Sequence, residues 1–159
     1  MLRVERDLSR CLHRLTARLD RAADAFLRAE AGVSYRRFLA LYLVGLEGVD
    51  TQRALADLLE VTEPSISRMV RVLAQAGLLE ATPEPLGGNR RRLRLTPAGE
   101  QLVTGWGAEL ENRLAGLLET AGVPYRTYRG HTRRLLTALD TPPTLTGRAI
   151  RPVQEPSRA

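Results

Sequence analysis

Two short helical periods with a tight break between them, followed by two strand-like runs around an arginine-loaded turn, leave residues 51–96 few ways to fold. The stretch reads TQRALADLLEVTEPSISRMVRVLAQAGLLEATPEPLGGNRRRLRLT. Thr51 is a capping residue for a helix whose Leu55, Leu58 and Leu59 recur on one face. Val61 ends the break and Thr62 caps the next helix, 63–76, with Pro64 in its first turn, where a missing N–H is no loss. Ile66, Met69, Val70 and Leu73 stand at i, i+3, i+4 and i+7, so this helix packs by one face, and Gly77 is expected to close it. Residues 78–82 and 92–96 read as strands, the second with clean alternation. Gly87, Gly88 and Asn89 supply the turn between them. Helix, turn, helix and hairpin follow in that order.

The flanking segments are helical. Over residues 2–30, Leu8, Leu12, Leu15, Leu19, Ala22 and Phe26 alternate four and three apart, with an arginine row on the other side. Ser34 caps a second helix, to about Leu46, whose face is Phe38, Leu41, Tyr42, Gly45 and Leu46. Further apolar residues around it mark a buried, central helix. Pro97 begins a long helix carrying Leu102, Trp106, Leu110, Leu114 and Leu117. Pro124 begins a last one with Tyr128, Leu135, Leu136 and Leu139, and Trp106 and Tyr128 read as core or interface anchors. The fold class expected is mainly α with a small antiparallel β-hairpin (α+β). Residues 34–97 form a winged helix-turn-helix domain with its wing at 84–92. Residues 1–33 and 98–140 are dimerisation helices. Residues 141–159, proline-rich and without apolar period, read as a flexible tail. A winged domain of roughly 60–70 residues cannot cover both flanking stripes, so a second copy of the chain is implied as their partner.

The charge balance narrows the partner. Net charge is +6, and all 24 basic residues are arginine. A basic excess points to an anionic partner, nucleic acid before membrane surface. No apolar run reaches the ~20 residues of a membrane span, and the N-terminus lacks the apolar core of a secretory signal, so a cytoplasmic address is expected. One cysteine excludes an internal disulfide and a multi-cysteine zinc site. His13 and His131 stand alone, so neither a metal nor a cofactor is expected. No nucleophile–base pair, phosphate loop or paired carboxylates argue for an enzyme.

Stepping 100° per residue from Ile66 puts Arg68 and Arg71 on the far side of the 63–76 helix, with Ser65 and Ser67 on its flanks. The N-terminal half of such a helix is what enters a major groove, where arginine bridges guanine O6 and N7. Arg90, Arg91, Arg92 and Arg94 crowd five positions of the hairpin. Packed like charges make most sense beside a polyanion, and a wing would reach the adjacent minor groove.

From SYRRFLAL at the second helix, TQRALADLLEVTEPSISRMVRVLAQAGLLE and the closing LRLTPAGEQL, the chain resembles the MarR family of winged-helix transcription regulators, over about Leu8 to Leu139. The resemblance implies a homodimer bound to a palindromic promoter site in double-stranded DNA, most often as a repressor. By position, Ser65, Ser67, Arg68 and Arg71 match recognition-helix contacts, and Arg90, Arg91 and Arg92 match the wing tip; Thr62, the cap of the same helix, is expected to join them at the DNA. The family wing usually holds an aspartate that orients its arginine; here the nearest equivalents are Asn89 or Glu84. Many members bind small phenolic or lipophilic effectors, for which Phe38 and Tyr42 are the candidate lining. Hydroperoxide-sensing members pair a first-helix cysteine with a tyrosine opening the second helix, which leads to Cys11 and Tyr35. The second tyrosine of that arrangement is missing, its place falling near Asp24. A redox-responsive repressor and a winged module that binds protein rather than DNA are the alternatives.

Overall fold

The computed structural model describes residues 7–83 and 91–140, which fall into two compact units, Met1–Leu114 and Ala115–Ala159. In the first unit, α1 (Leu8–Ala31) ends at Gly32, and Ser34 in extended backbone opens α2 (Tyr35–Leu46) by accepting the Arg37 N–H at 3.4 Å. Asp24 ties the two together. Its Oδ2 accepts the Arg28 Nε–H at 2.6 Å and its Oδ1 accepts the Tyr35 N–H at 2.8 Å. The Arg28 bond first and the Tyr35 bond second hold the Asp24 carboxyl below the usual carboxylate range. The place where the resemblance would put a second tyrosine is therefore filled by a carboxylate that joins helices.

Helix α2 is the core helix that its composition implies, with Phe38, Ala40, Leu41 and Val44 buried. Leu46 departs from the expected face and is exposed, because the helix ends there and the chain turns away. Thr51 caps α3 (Gln52–Leu58), accepting the Ala54 N–H at 3.2 Å. Leu55 and Ala56 are buried, but Leu58, expected inward, is exposed. A helix of only two turns has room to bury one narrow stripe. Glu60, with φ 51°, makes the turn in a left-handed conformation that costs a non-glycine residue about 1 kcal/mol. The Val61 N–H returns to the Ala56 carbonyl at 3.0 Å.

Helix α4 (Glu63–Gln75) buries Ile66, Val70 and Leu73, as its period dictates. Its C-cap is Ala76 rather than Gly77. Gly77 follows it at φ 68°, and the Leu78 N–H reaches back to Leu73 O while the Gly77 N–H reaches Ala74 O, both at 3.0 Å. That double return needs the left-handed residue that glycine supplies without strain. Strands β1 (Leu79–Pro83) and β2 (Arg91–Leu95) pair antiparallel, Leu79 with Leu95 and Pro83 with Arg91. Each is displaced by one residue from the expected span. The reason is a third edge: the Leu93 N–H donates to Asp50 O at 2.8 Å and Thr51 bridges Arg92, so the segment before α3 holds β2 in register.

Helix α5 (Pro97–Thr120) starts where Thr96 clamps three elements. The Thr96 hydroxyl donates to Gly77 O at 2.6 Å and accepts the Gly99 N–H at 3.1 Å, while the Thr96 N–H donates to Leu78 O at 3.2 Å. The main core joins Leu41, Leu55, Ile66, Val70, Leu73, Leu79, Leu93 and Val103 beneath the helix pair and hairpin. A smaller one gathers Leu27, Val33 and Phe38 with Phe26, Trp106 and Leu110 around them. There the Phe26 and Trp106 rings meet edge-on at 5.5 Å, and the Arg113 guanidinium lies 3.7 Å over Phe26. In the second unit, α6 (Tyr125–Asp140) buries no residue, and Leu135, Leu136 and Leu139 are exposed. Among the described residues no helix is long and apolar enough to cross a membrane.

Candidate nucleic-acid interface

The start of α4 carries a polar chain at i, i+3 spacing. Thr62, expected as a side-chain cap, is extended but makes no hydroxyl-to-backbone cap bond. The Ser65 and Ile66 N–H groups are already taken by the Thr62 carbonyl, at 2.9 and 3.1 Å. The Thr62 hydroxyl instead lies 3.0 Å from Ser65 Oγ, which also accepts Arg68 Nη2 at 3.3 Å. Arg68 is thus braced by its own helix on the open surface, and one rotamer-rich side chain loses part of its freedom before any partner arrives.

Ser67 and Arg71 turn toward the hairpin. With Gln52, Gln75, Ala81 and Arg91 they line a cleft of about 500 Å³ between α4 and the sheet. Arg91 and Arg92, which the resemblance matches to the wing tip, both lie in β2: Arg92 as the expected strand 92–96 has it, and Arg91 because the strand begins one residue earlier. Period two separates them: Arg91 shares a face with Leu93, and Arg92 shares the opposite face with Arg94. Arg92 Nε stands 3.7 Å from Asp50 Oδ2, with both side chains about half exposed. Such a pair adds little stability, but it does orient the guanidinium. The carboxylate beside a wing arginine therefore comes from the segment before α3. Arg90, Asn89 and Glu84 lie outside the described residues. Gln52 and Gln75 were missed by reading the chain in order, because only the docking of the hairpin on α4 brings them to the cleft. Asp50 was missed because only the register of β2 brings Arg92 beside it, on the other face of the strand.

The remaining candidates separate. Phe38 is 3 % exposed and packs into the smaller core, its ring 6.2 Å from that of Tyr42. Neither residue lines the α4–hairpin cleft or a second cleft of about 440 Å³ bordered by Asp20, Asp24, Tyr35, Arg36, Leu39 and Leu58. Cys11 and Tyr35 are far apart within one chain. Tyr35 is bonded to Asp24, and the 13 helical steps from Cys11 to Asp24 span roughly 20 Å. The exposed Cys11 thiol donates to Asp7 Oδ2 at 3.4 Å, and that bond pushes its pKa up, away from the thiolate a peroxide sensor needs. Asp7→Ala removes the bond and lowers the thiol pKa, so alkylation of Cys11 by iodoacetamide at pH 8 should be faster than in the parent. Equal rates would mean that Asp7 does not govern the thiol. Among the described residues no group of three His, Cys, Asp or Glu is placed to hold a metal ion.

Comparison with known proteins agrees with this arrangement. A sequence profile of the MarR family matches residues 31–91. A helix-turn-helix-type transcriptional regulator from Mycobacterium tuberculosis is 31 % identical over 101 residues, 64 % of this chain and 67 % of the relative. The Staphylococcus aureus MepR–DNA complex superposes with a TM-score of 0.66 at 19 % identity, over 83 % of this chain and 95 % of that one. NadR in complex with 4-hydroxyphenylacetate superposes with a TM-score of 0.68 at 23 % identity, over 80 % and 88 %. At these identities the two structures establish the winged-helix fold.

Proposed function

Because the chain belongs to the MarR family of DNA-binding transcription regulators, we propose that it is a homodimeric repressor of the cytoplasm, without enzymatic activity, that binds a palindromic promoter site in duplex DNA and is released by a small phenolic or lipophilic effector. One observation carries the DNA-binding face. Arg68 is braced outward by Ser65 at the start of α4, beside a cleft into which α4 and β2 send Arg71 and Arg91 and to which no carboxylate among the described residues contributes. A recognition helix in the major groove with its hairpin over the neighbouring backbone uses all three arginines. Two copies related by a twofold axis would present their α4 helices about one helical turn of DNA apart. The MepR–DNA and NadR–4-hydroxyphenylacetate structures support the two partner classes by likeness of fold.

The test is selection of bound duplexes from a random pool, followed by polarisation titrations on the selected site and on random duplex. Arg68→Ala should cost ~1–3 kcal/mol of discrimination, roughly 5- to 150-fold in the ratio of the two affinities. Repeating the titration with phenolic compounds tests release. Absence of binding to any duplex at low salt would leave a winged module that recognises protein, and would end the DNA-binding reading.

A further inference from the structure

The recognition helix offers two outward arginines that look equivalent on a helical wheel but have different surroundings. Arg68 lies on the open side and is held by Ser65 Oγ. Arg71, one turn later, faces the hairpin across the cleft that it shares with Gln52, Ser67, Gln75 and Arg91. Arg91 comes from the strand opposite, turned to this side because it shares the face of Leu93 in the pleat. Among the described residues the lining thus brings together two arginines from separate elements, two glutamines and a serine over Val70, Ala74 and Ala81, with no carboxylate. Two like charges held around one concavity repel each other unless an anion fills it. At about 500 Å³, the cleft admits a stretch of DNA backbone.

Resting on the DNA-binding reading above, we propose that this cleft seats one phosphodiester of each half-site, clamped between Arg71 and Arg91 with Gln52 and Ser67 as further donors. Base reading from the far side of α4 then falls to Arg68. Guanidinium–phosphate pairing is bidentate and charge-assisted, and it fixes the register of a helix in the groove without carrying sequence information. Gln52, on the first helix of the pair, thereby becomes a DNA contact that neither its position nor its neighbours announce.

A scan of single methylphosphonate linkages along the selected duplex tests the assignment, because each neutralises one phosphate and leaves the bases unchanged. One linkage per half-site should weaken wild-type binding, leave Arg71→Ala and Arg91→Ala unaffected, and still weaken Arg68→Ala. Arg71→Ala should bind selected and random duplex more weakly by the same factor, with the log–log salt slope shallower by about one per protomer. The assignment is overturned if Arg71→Ala changes which bases are preferred, or if no linkage separates Arg71→Ala from wild type. Failure of the wild type to bind any duplex would instead overturn the DNA-binding reading, and this assignment with it.

Discussion

Gly99→Ala should unfold the chain at temperatures where the parent is fully folded. A methyl group at Gly99 would fall within the contact radius of the Leu78 backbone carbonyl oxygen, and a carbonyl cannot swing aside as a side-chain tip can. That same carbonyl accepts the Thr96 N–H, and the Thr96 hydroxyl joins Gly77 O to the Gly99 N–H. Relieving the clash therefore pulls the start of α5 off the end of α4 and off both strands at once. Overpacking against backbone costs about 3 kcal/mol, which lowers Tm by roughly 10 °C for a chain of this size. Thermal circular dichroism at matched protein concentration checks it, since Tm of an oligomer moves with concentration. Gly105→Ala is the control. It stands inside α5 with nothing within 4 Å of an added methyl, and should raise stability by about 0.5–1 kcal/mol. Similar Tm values for the two variants would show that the clamp at Thr96 yields easily.

The second large effect concerns assembly. Leu8, Leu12 and Leu15 run down one side of α1 at 64, 44 and 38 % exposure, although the period of this helix is as regular as that of α4. Apolar stripes of this kind are stable in water when another surface covers them. Leu12→Asp should therefore separate the proposed dimer. Each buried leucine contributes ~1.5–3 kcal/mol, and a twofold interface loses two, so the dimer dissociation constant should rise by roughly 10²–10⁴. Sedimentation equilibrium reads this directly, and binding to a palindromic duplex should fall with it. Arg10→Ala, on the opposite side of α1, should leave the dimer intact. An unchanged dimer for Leu12→Asp at micromolar concentration would place the interface elsewhere.

Much of the fold was legible because its causes are local. Thr51 and Ser34 cap as their types and positions predict, since an N-cap bond spans three residues. Ile66, Val70 and Leu73 are buried as their spacing requires, because a helix decides by itself which side chains share a face. The same rule overreached at Leu46 and Leu58. Helical phase says which residues lie together, but how wide a stripe is covered depends on where the helix ends and what packs on it. At Thr62 the residue type suggests a side-chain cap, but its hydroxyl lies against the Ser65 hydroxyl instead of a backbone N–H.

The closing TPAGEQL was recognisable as part of a pattern, but the reason for Gly99 lies in a carbonyl 21 positions earlier. The arginines of the hairpin show the same division. Their number and crowding are evident from the chain alone, and so is the demand for a polyanion. Which of them faces α4 depends on a one-residue register, and a shift of one residue in a strand exchanges its two faces. That register is held by Asp50 and Thr51, more than 40 residues upstream of the Leu93 and Arg92 they meet. The sequence by itself determined the helix pair, the hairpin, the basic face and the uncovered leucine stripe of α1, because periodicity, capping and charge act within a few residues. Only the tertiary structure decided that Arg71 meets Arg91 across a cleft, that Arg92 lies beside Asp50, and that Gln52 belongs to the same surface. These are contacts between elements, and the packing of the hairpin on α4 sets them.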